Sequence, residues 1–86
     1  MVKMWAKTIK NEKITRSIIY ENDEKYTEKN FFVYITEICH IFDIPTPVIL
    51  KSHRTNFENF NICKFILRDF VETIDFDAFI IESANQ

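Results

Sequence analysis

The chain opens on two runs whose apolar positions repeat with a period of two. Residues 2–10, Val-Lys-Met-Trp-Ala-Lys-Thr-Ile-Lys, alternate, and residues 13–21, Lys-Ile-Thr-Arg-Ser-Ile-Ile-Tyr-Glu, are rich in β-branched side chains. With Asn11-Glu12 between them they predict a β-hairpin. A two-residue loop sets Ile9 opposite Ile14, Trp5 opposite Ile18 and Lys3 opposite Tyr20 on one face. Met4, Ala6 and Ile19 then share the other. One additional residue in the loop would reverse the faces of the second strand.

Residues 22–28 are polar, and the period then changes. Over 30–44, at about 100° per residue, Phe31, Ile35, Ile38 and Phe42 make the centre of one stripe. Phe32, Tyr34, Cys39 and Ile41 flank it, and Thr36, Glu37, His40 and Asp43 fall on the far side with Val33. A helix apolar over about half its circumference must lie against another element. Thr27 suits its N-cap, Glu28 suits the positive end of the helix dipole, and Pro45 stops it after Asp43.

The next segment admits two readings. Thr46-Pro47 can start a second helix at once, or Val48-Ile49-Leu50 is extended and Ser52 caps a short helix over 53–60. In both, Leu50, Phe57 and Phe60 share a face. Residues 61–74 mix apolar and charged residues without a clear period, apart from a single helical turn at Arg68–Val71. Residues 76–83 read as a last strand and 84–86 as a frayed tail. The assembly expected is a single α+β domain over residues 1–86, ββα(α)β. Its small antiparallel sheet holds the hairpin plus the C-terminal strand in the order 2-1-3, with one long and one short helix on a face.

Composition makes this plausible for 86 residues. The chain is 47% apolar with nine Phe, three Tyr and one Trp, and burying one Phe contributes roughly 1.5–3 kcal/mol. Glycine is absent. Loops that cradle phosphate need glycine where backbone approaches ligand, so a P-loop and a dinucleotide-binding turn are excluded. Turns must use Asn or Asp, for which Asn11, Asn22-Asp23 and Asn61 are placed. With neither a leader-like apolar run at its start nor a segment able to span a bilayer, the expected location is the cytoplasm.

The net charge of −2 supplies no field for a polyanion. It is unevenly distributed: Lys3, Lys7, Lys10, Lys13 and Arg16 crowd the first 20 residues, whereas Asp69, Glu72, Asp75, Asp77 and Glu82 lie near the end. These two segments balance if they sit side by side. Both parities of the strands carry apolar groups, so with a helix layer on one face the other is either covered by segment 45–74, with its Phe and Leu, or left open as a homodimer or partner interface. Trp5 between Lys3 and Lys7 is the residue best suited to anchor a partner there.

Chemistry is thinly represented. Cys39, His40, His53 and Cys63 are the metal-like set, but Cys39 and His40 diverge by about 100° on a helix, and the other two lie well outside a ligand knuckle. Neither a metal nor a cofactor is expected. His53 or His40 as a base for a Cys63 nucleophile has no spacing in its favour. Glu72, Asp75 and Asp77 lack the loop glycine and ligand spacing of a calcium hand and read as a solvated acidic edge.

Met4-Trp5-Ala6-Lys7, Phe42-Asp43, Pro47-x-x-Leu50, Phe57, Lys64-Phe65 and Asp69-Phe-Val-Glu-x-Ile-Asp-Phe-Asp77 together resemble a family of short uncharacterised proteins of Gram-positive anaerobic bacteria. The resemblance spans nearly the whole chain and departs at Arg54, where an apolar residue is expected. It implies a small bacterial cytoplasmic protein and assigns no site.

The function expected is that of a non-enzymatic interaction or accessory protein whose partner is another protein or a second copy of itself. The surfaces to examine are Trp5 with Lys3 and Lys7, the polar face of the long helix, and Glu72, Asp75 and Asp77. The alternative is a nucleic-acid-binding module using Lys3, Lys7 and Arg16 of the hairpin with Lys51 and Arg54. A small hydrolase or thiol enzyme built on Cys63 is a third reading.

Overall fold

Alternation in the first strand sets the architecture. In the computed structural model, which describes residues 1–84, β1 (Val2–Lys10) buries Val2, Met4, Ala6 and Thr8 and leaves Lys3, Trp5, Lys7 and Ile9 on the other side. β2 (Lys13–Asn22) returns beside it through Asn11-Glu12, which both take positive φ, 53° and 68°. This is the backbone of a two-residue turn that matches the twist of a hairpin. The two-residue loop and the Ile9–Ile14 pairing stand as the sequence predicts.

The pairs beyond them do not. Trp5 lies opposite Ile19, Ala6 opposite Ile18 and Lys3 opposite Glu21. A register shift between Thr8 and Ile9 adds one residue to β2, because Thr8 pairs with Arg16 and Ile9 with Ile14. The extra residue is Thr15, whose hydroxyl lies 2.8 Å from that of Thr8 and donates to the Thr8 carbonyl. Such a bulge reverses the side-chain alternation beyond it. Ile18 and Ile19 therefore exchange the faces expected of them.

Between the hairpin and the long helix, the Thr27 hydroxyl accepts from the Asn30 N–H at 3.3 Å and caps a 3₁₀ turn at Glu28–Asn30. That turn runs straight into α1 (Phe31–Phe42). Phe31, Ile35, Ile38 and Phe42 are all buried, with Tyr34 and Cys39 beside them. Phe32, Ile41 and Val33 remain exposed. The helix ends one residue before the predicted stop. Asp43 adopts a left-handed conformation, φ 55°, while its N–H donates to His40 and that of Ile44 to Cys39. This pair of bonds is the Schellman arrangement that satisfies the last carbonyls of a helix.

Residues 45–50 are extended and tied down by the Val48 N–H, which donates to the Asp69 carbonyl at 2.7 Å. α2 spans Lys51–Phe60, so the second of the two readings holds with Leu50 in place of Ser52 at the N-cap. Asn61 closes it at φ 61°. Next comes a strand the sequence does not reveal, β3 (Ile62–Ile66), then a 3₁₀ turn at Leu67–Asp69, and finally β4 (Ala78–Ser83).

The sheet is antiparallel throughout, ordered β2-β1-β4-β3. The C-terminal strand does lie beside the first, as expected. The order 2-1-3 and the pattern ββα(α)β are corrected by β3, which adds a fourth strand at the outer edge and makes the chain ββααββ. Residues 62–67 are apolar at five of six positions, so neither period stands out there. Of the expected C-terminal tail, Ala84 is fixed by donating to the Lys3 carbonyl at 2.8 Å; residues 85–86 lie outside the described residues. Both helices sit on one face, where Phe42 meets Phe79 edge-on at 6.0 Å and His53 lies on Phe65 at 4.4 Å.

Glu12 carries a Cβ at a position with φ 68°, where glycine is free of steric cost. Glu12→Gly creates the Asn-Gly turn favoured in hairpins, and the expected gain is about 1 kcal/mol in urea unfolding. A loss of stability would show that the turn is not held in this geometry.

Candidate interaction surface

Four strands with alternating side chains present two faces, and the helices occupy one. The registers place Ile19 (β2), Trp5 (β1), Glu82 (β4) and Ile62 (β3) in one row across the other face. The next row is Ser17, Lys7, Ile80 and Lys64. Among the described residues no element packs over this face. Ile19 is 52% exposed and Ile62 is 39% exposed, while Trp5 and Ile80 are half-buried by their neighbours. Trp5 lies near the centre.

The central charges on this face are paired within the chain, whereas Lys64 on the edge strand is exposed and in no salt bridge among the described residues. The Lys7 ammonium stands 3.7 Å above the Trp5 ring and 3.3 Å from the Glu82 carboxylate. A cation over the indole face is attracted by the ring quadrupole. Held from both sides, the Lys7 side chain is only 11% exposed. Lys3 pairs more loosely with Glu21 at 4.0 Å. The face is therefore a mixed surface: Trp5, Ile19, Ile80 and Ile62 among two internal ion pairs, with Lys64 left as an exposed cation.

The acidic residues expected to join this surface do not reach it. Asp77 is at the far end of β1, where its N–H donates to the Ile9 carbonyl and its carboxylate accepts from the Asn11 N–H at 2.9 Å. Four residues of strand, about 13 Å, separate Ile9 from Trp5. Asp77 thus clamps the hairpin turn, while Glu72 and Asp75 are exposed in the connection before β4. On α1, Glu37 accepts a hydrogen bond from Tyr20 and ties the helix to β2. Burial foremost, and then the Glu37 hydrogen bond, raise the pKa of that phenol.

The five basic residues of the nucleic-acid reading are also dispersed. Lys3 and Lys7 are on the bare face, whereas Arg16 projects to the helical side, 5.1 Å over the Phe42 ring. Arg54 pairs with Glu28 at 3.0 Å, and Lys51 opens α2. Arg54 is half-buried, and although its guanidinium meets Glu28, its Nε is buried without a hydrogen-bond partner among the described residues.

His53 is built into the scaffold. Its Nδ1 accepts from the Leu50 N–H at 2.9 Å, and its Nε2 lies 3.4 Å from the Asp69 carboxylate. Asp69 also accepts from the Ile66 N–H at 2.9 Å. With Nδ1 engaged by backbone and Nε2 facing a carboxylate, the ring has no nitrogen left over to serve as a base. It joins the start of α2 to the turn after β3. His40 is exposed on α1. Sequence reasoning did not anticipate the His53–Asp69 pairing; the short spacing from Leu50 to His53 was its only signal.

Cys39 and Cys63 are buried free thiols. Burial pushes both up to about 12, aided for Cys63 by the nearby Asp69 charge. A nucleophilic cysteine needs the opposite shift. No group of three or more His, Cys, Asp or Glu able to hold a metal occurs among the described residues, and no helix there is long and apolar enough to cross a membrane.

Because unfolded thiols ionise near 9 and the folded ones near 12, the folded state keeps its protons longer. Their stabilisation is complete below pH 9 and is lost as pH rises toward 12, by up to about 1.4 kcal/mol per pH unit for each thiol. Urea midpoints should fall between pH 9 and 10, and Cys39→Ala with Cys63→Ala should remove most of that slope. At pH 8 the native protein should leave a thiol-reactive disulfide reagent unreacted and consume two equivalents once unfolded. Rapid native reaction at Cys63 would revive the thiol-enzyme reading.

Comparison with known protein families, curated proteins and solved structures gave no match to this chain.

Proposed function

We propose that this chain is a non-enzymatic protein-interaction module that receives a protein partner on the bare face of its sheet. One observation carries the reading: the face opposite the helices holds Trp5, Ile19, Ile80 and Ile62 in two adjacent rows, with Lys7 at its centre neutralised by Glu82 and Trp5. Water gains by leaving such a surface, and contiguous apolar patches on soluble domains mark contact sites. Trp is the commonest anchor of such contacts because one rigid side chain supplies a large area. The buried, protonated thiols and the fully engaged His53 give an enzymatic reading no support.

The nucleic-acid alternative has less behind it. Three of its five basic residues, Lys3, Lys7 and Arg54, are paired with carboxylates. Phosphate binding draws on free cations arrayed along one surface.

A photoreactive amino acid placed at position 19 should crosslink to protein in cells, and one at position 41, on the exposed side of α1, should not. Replacing Trp5 by Ser should weaken the captured interaction about 30-fold, the loss expected of a hot-spot residue worth about 2 kcal/mol. Circular dichroism should show that the variant remains folded. Equal crosslinking at both positions, or binding indifferent to Trp5, would overturn the assignment.

A further inference from the structure

We infer that the outer edge of β3 receives an extended acidic peptide, which adds to the sheet as a further strand in the cleft beside α2. This surface is distinct from the bare face and goes beyond the interaction reading above.

The open edge follows from the order of the strands. β2 and β3 are the two outer strands of the sheet. The Ser83 N–H donates to the Asn61 carbonyl at 2.8 Å, in phase with the β3–β4 register, so Cys63 and Phe65 direct their backbone groups toward Ile81 and Phe79 of β4. This direction alternates along an antiparallel strand. Ile62, Lys64 and Ile66 therefore aim N–H and C=O away from the sheet. The Ile66 N–H is met by the Asp69 carboxylate at 2.9 Å, which fits the same phase and closes that end. Among the described residues no strand pairs with the outward groups of Ile62 and Lys64. Such groups are a template for another strand. The β2 edge is the poorer template, because the bulge at Thr15 bends it.

An incoming strand also has a place to lie. Beside this edge is a cleft of about 400 Å³, lined by Ser52 and Asn56 from α2, Lys64 and Ile66 from β3, and Arg68 from the turn that follows. A strand added between a sheet edge and a helix takes main-chain hydrogen bonds from the first and side-chain contacts from the second. The five residues of β3 give it about 16 Å of edge.

Charge selects the occupant. Lys64 and Arg68 are exposed, and neither is in an ion pair among the described residues. Asp69, which also lines the cleft, already faces His53 and the Ile66 N–H. Two cations thus stand against one engaged carboxylate, and a negatively charged occupant complements them. A peptide residue bonded to the Lys64 backbone carries its side chain next to that of Lys64. Opposite charges at such a position stabilise strand pairing and like charges oppose it. The same rule disfavours a second copy of this chain, since the fullest overlap of two β3 edges sets Lys64 against Lys64.

Selection from a displayed library of random peptides about ten residues long should return sequences rich in Asp, Glu and β-branched residues. The best of these, synthesised, should slow hydrogen exchange at the Lys64 amide at least about tenfold. N-methylation of its alternate amides should weaken binding at least about tenfold in one phase and spare it in the other, because only one phase faces β3. Lys64→Glu combined with Arg68→Glu, both exposed, should keep the fold by circular dichroism and weaken binding by about tenfold or more. A library that yields no binder would overturn the inference. So would a basic peptide, indifference to N-methylation in both phases or to the charge reversal, or tighter binding of a single-stranded oligonucleotide, which would make the two cations a phosphate site. Crosslinking from position 19 does not involve this edge, so the two surfaces stand or fall separately.

Discussion

The constraint on which the molecule depends is that a strand has two faces and one helix layer covers one of them. α1 supplies a single stripe, Phe31, Ile35, Ile38 and Phe42, and all of it is spent on the side of the sheet that carries Met4, Ala6, Phe65, Phe79 and Ile81. Each fully buried side chain of this size contributes about 1.5–3 kcal/mol against the entropy of ordering the chain. The gain is large enough to hold four non-glycine residues, Asn11, Glu12, Asp43 and Asn61, at positive φ. Three of the four are Asn or Asp, the residues that tolerate that region best. Once the layer is formed, whatever apolar groups the strands carry on the opposite parity are left to solvent or to a partner.

Local pattern revealed those features that a few adjacent residues determine. The α1 stripe, the Asn11-Glu12 loop, the stop near Pro45 and the last strand beside the first were all legible. What was not legible depends on contacts between residues distant in sequence. The bulge at Thr15 is fixed by Thr8 across the strand pair, and no periodicity within 13–21 shows it. Its consequence was the exchange of Ile18 and Ile19. β3 escaped because Ile62, Cys63, Phe65, Ile66 and Leu67 form an almost unbroken apolar run, which fits either regular element. It becomes a strand because β4 offers it an edge.

The candidate surface was half legible for the same reason. Trp5, Lys3 and Lys7 share a parity in a strand that reads clearly, so their common face follows from the sequence. The acidic residues were grouped with them by charge alone. In the fold, Asp77 serves the hairpin turn, and the carboxylate that meets Lys7 is Glu82, a strand residue opposite Trp5. A cross-strand partner depends on register, and register depended on knowing which strand lies beside β1 and where it begins. The acidic segment does balance the basic one, but through Glu82 and not through Asp75 or Asp77.

That placement of Glu82 also decides how the face behaves when water is removed from it. Covering an ion pair normally costs several kcal/mol for each ion as solvent is lost. The Lys7 side chain has already been withdrawn from water to 11% exposure by the indole on one side and the carboxylate on the other. Most of its desolvation is therefore incurred on folding, when the core gain offsets it, and little is left to be charged against association. The outer pair, Lys3 with Glu21, is long and solvated, and it sits toward the rim, where an exposed pair is worth at most about 1 kcal/mol. The apolar area this face offers is then that of Trp5 and the isoleucines around it. Since Lys7 and Glu82 cancel within one chain, added salt has little to screen at the centre of the face and acts instead on exposed Lys64. The cation next to Trp5 is thus neutralised within the chain, while Lys64 of the same row, unpaired among the described residues, lies exposed to water on the outer strand.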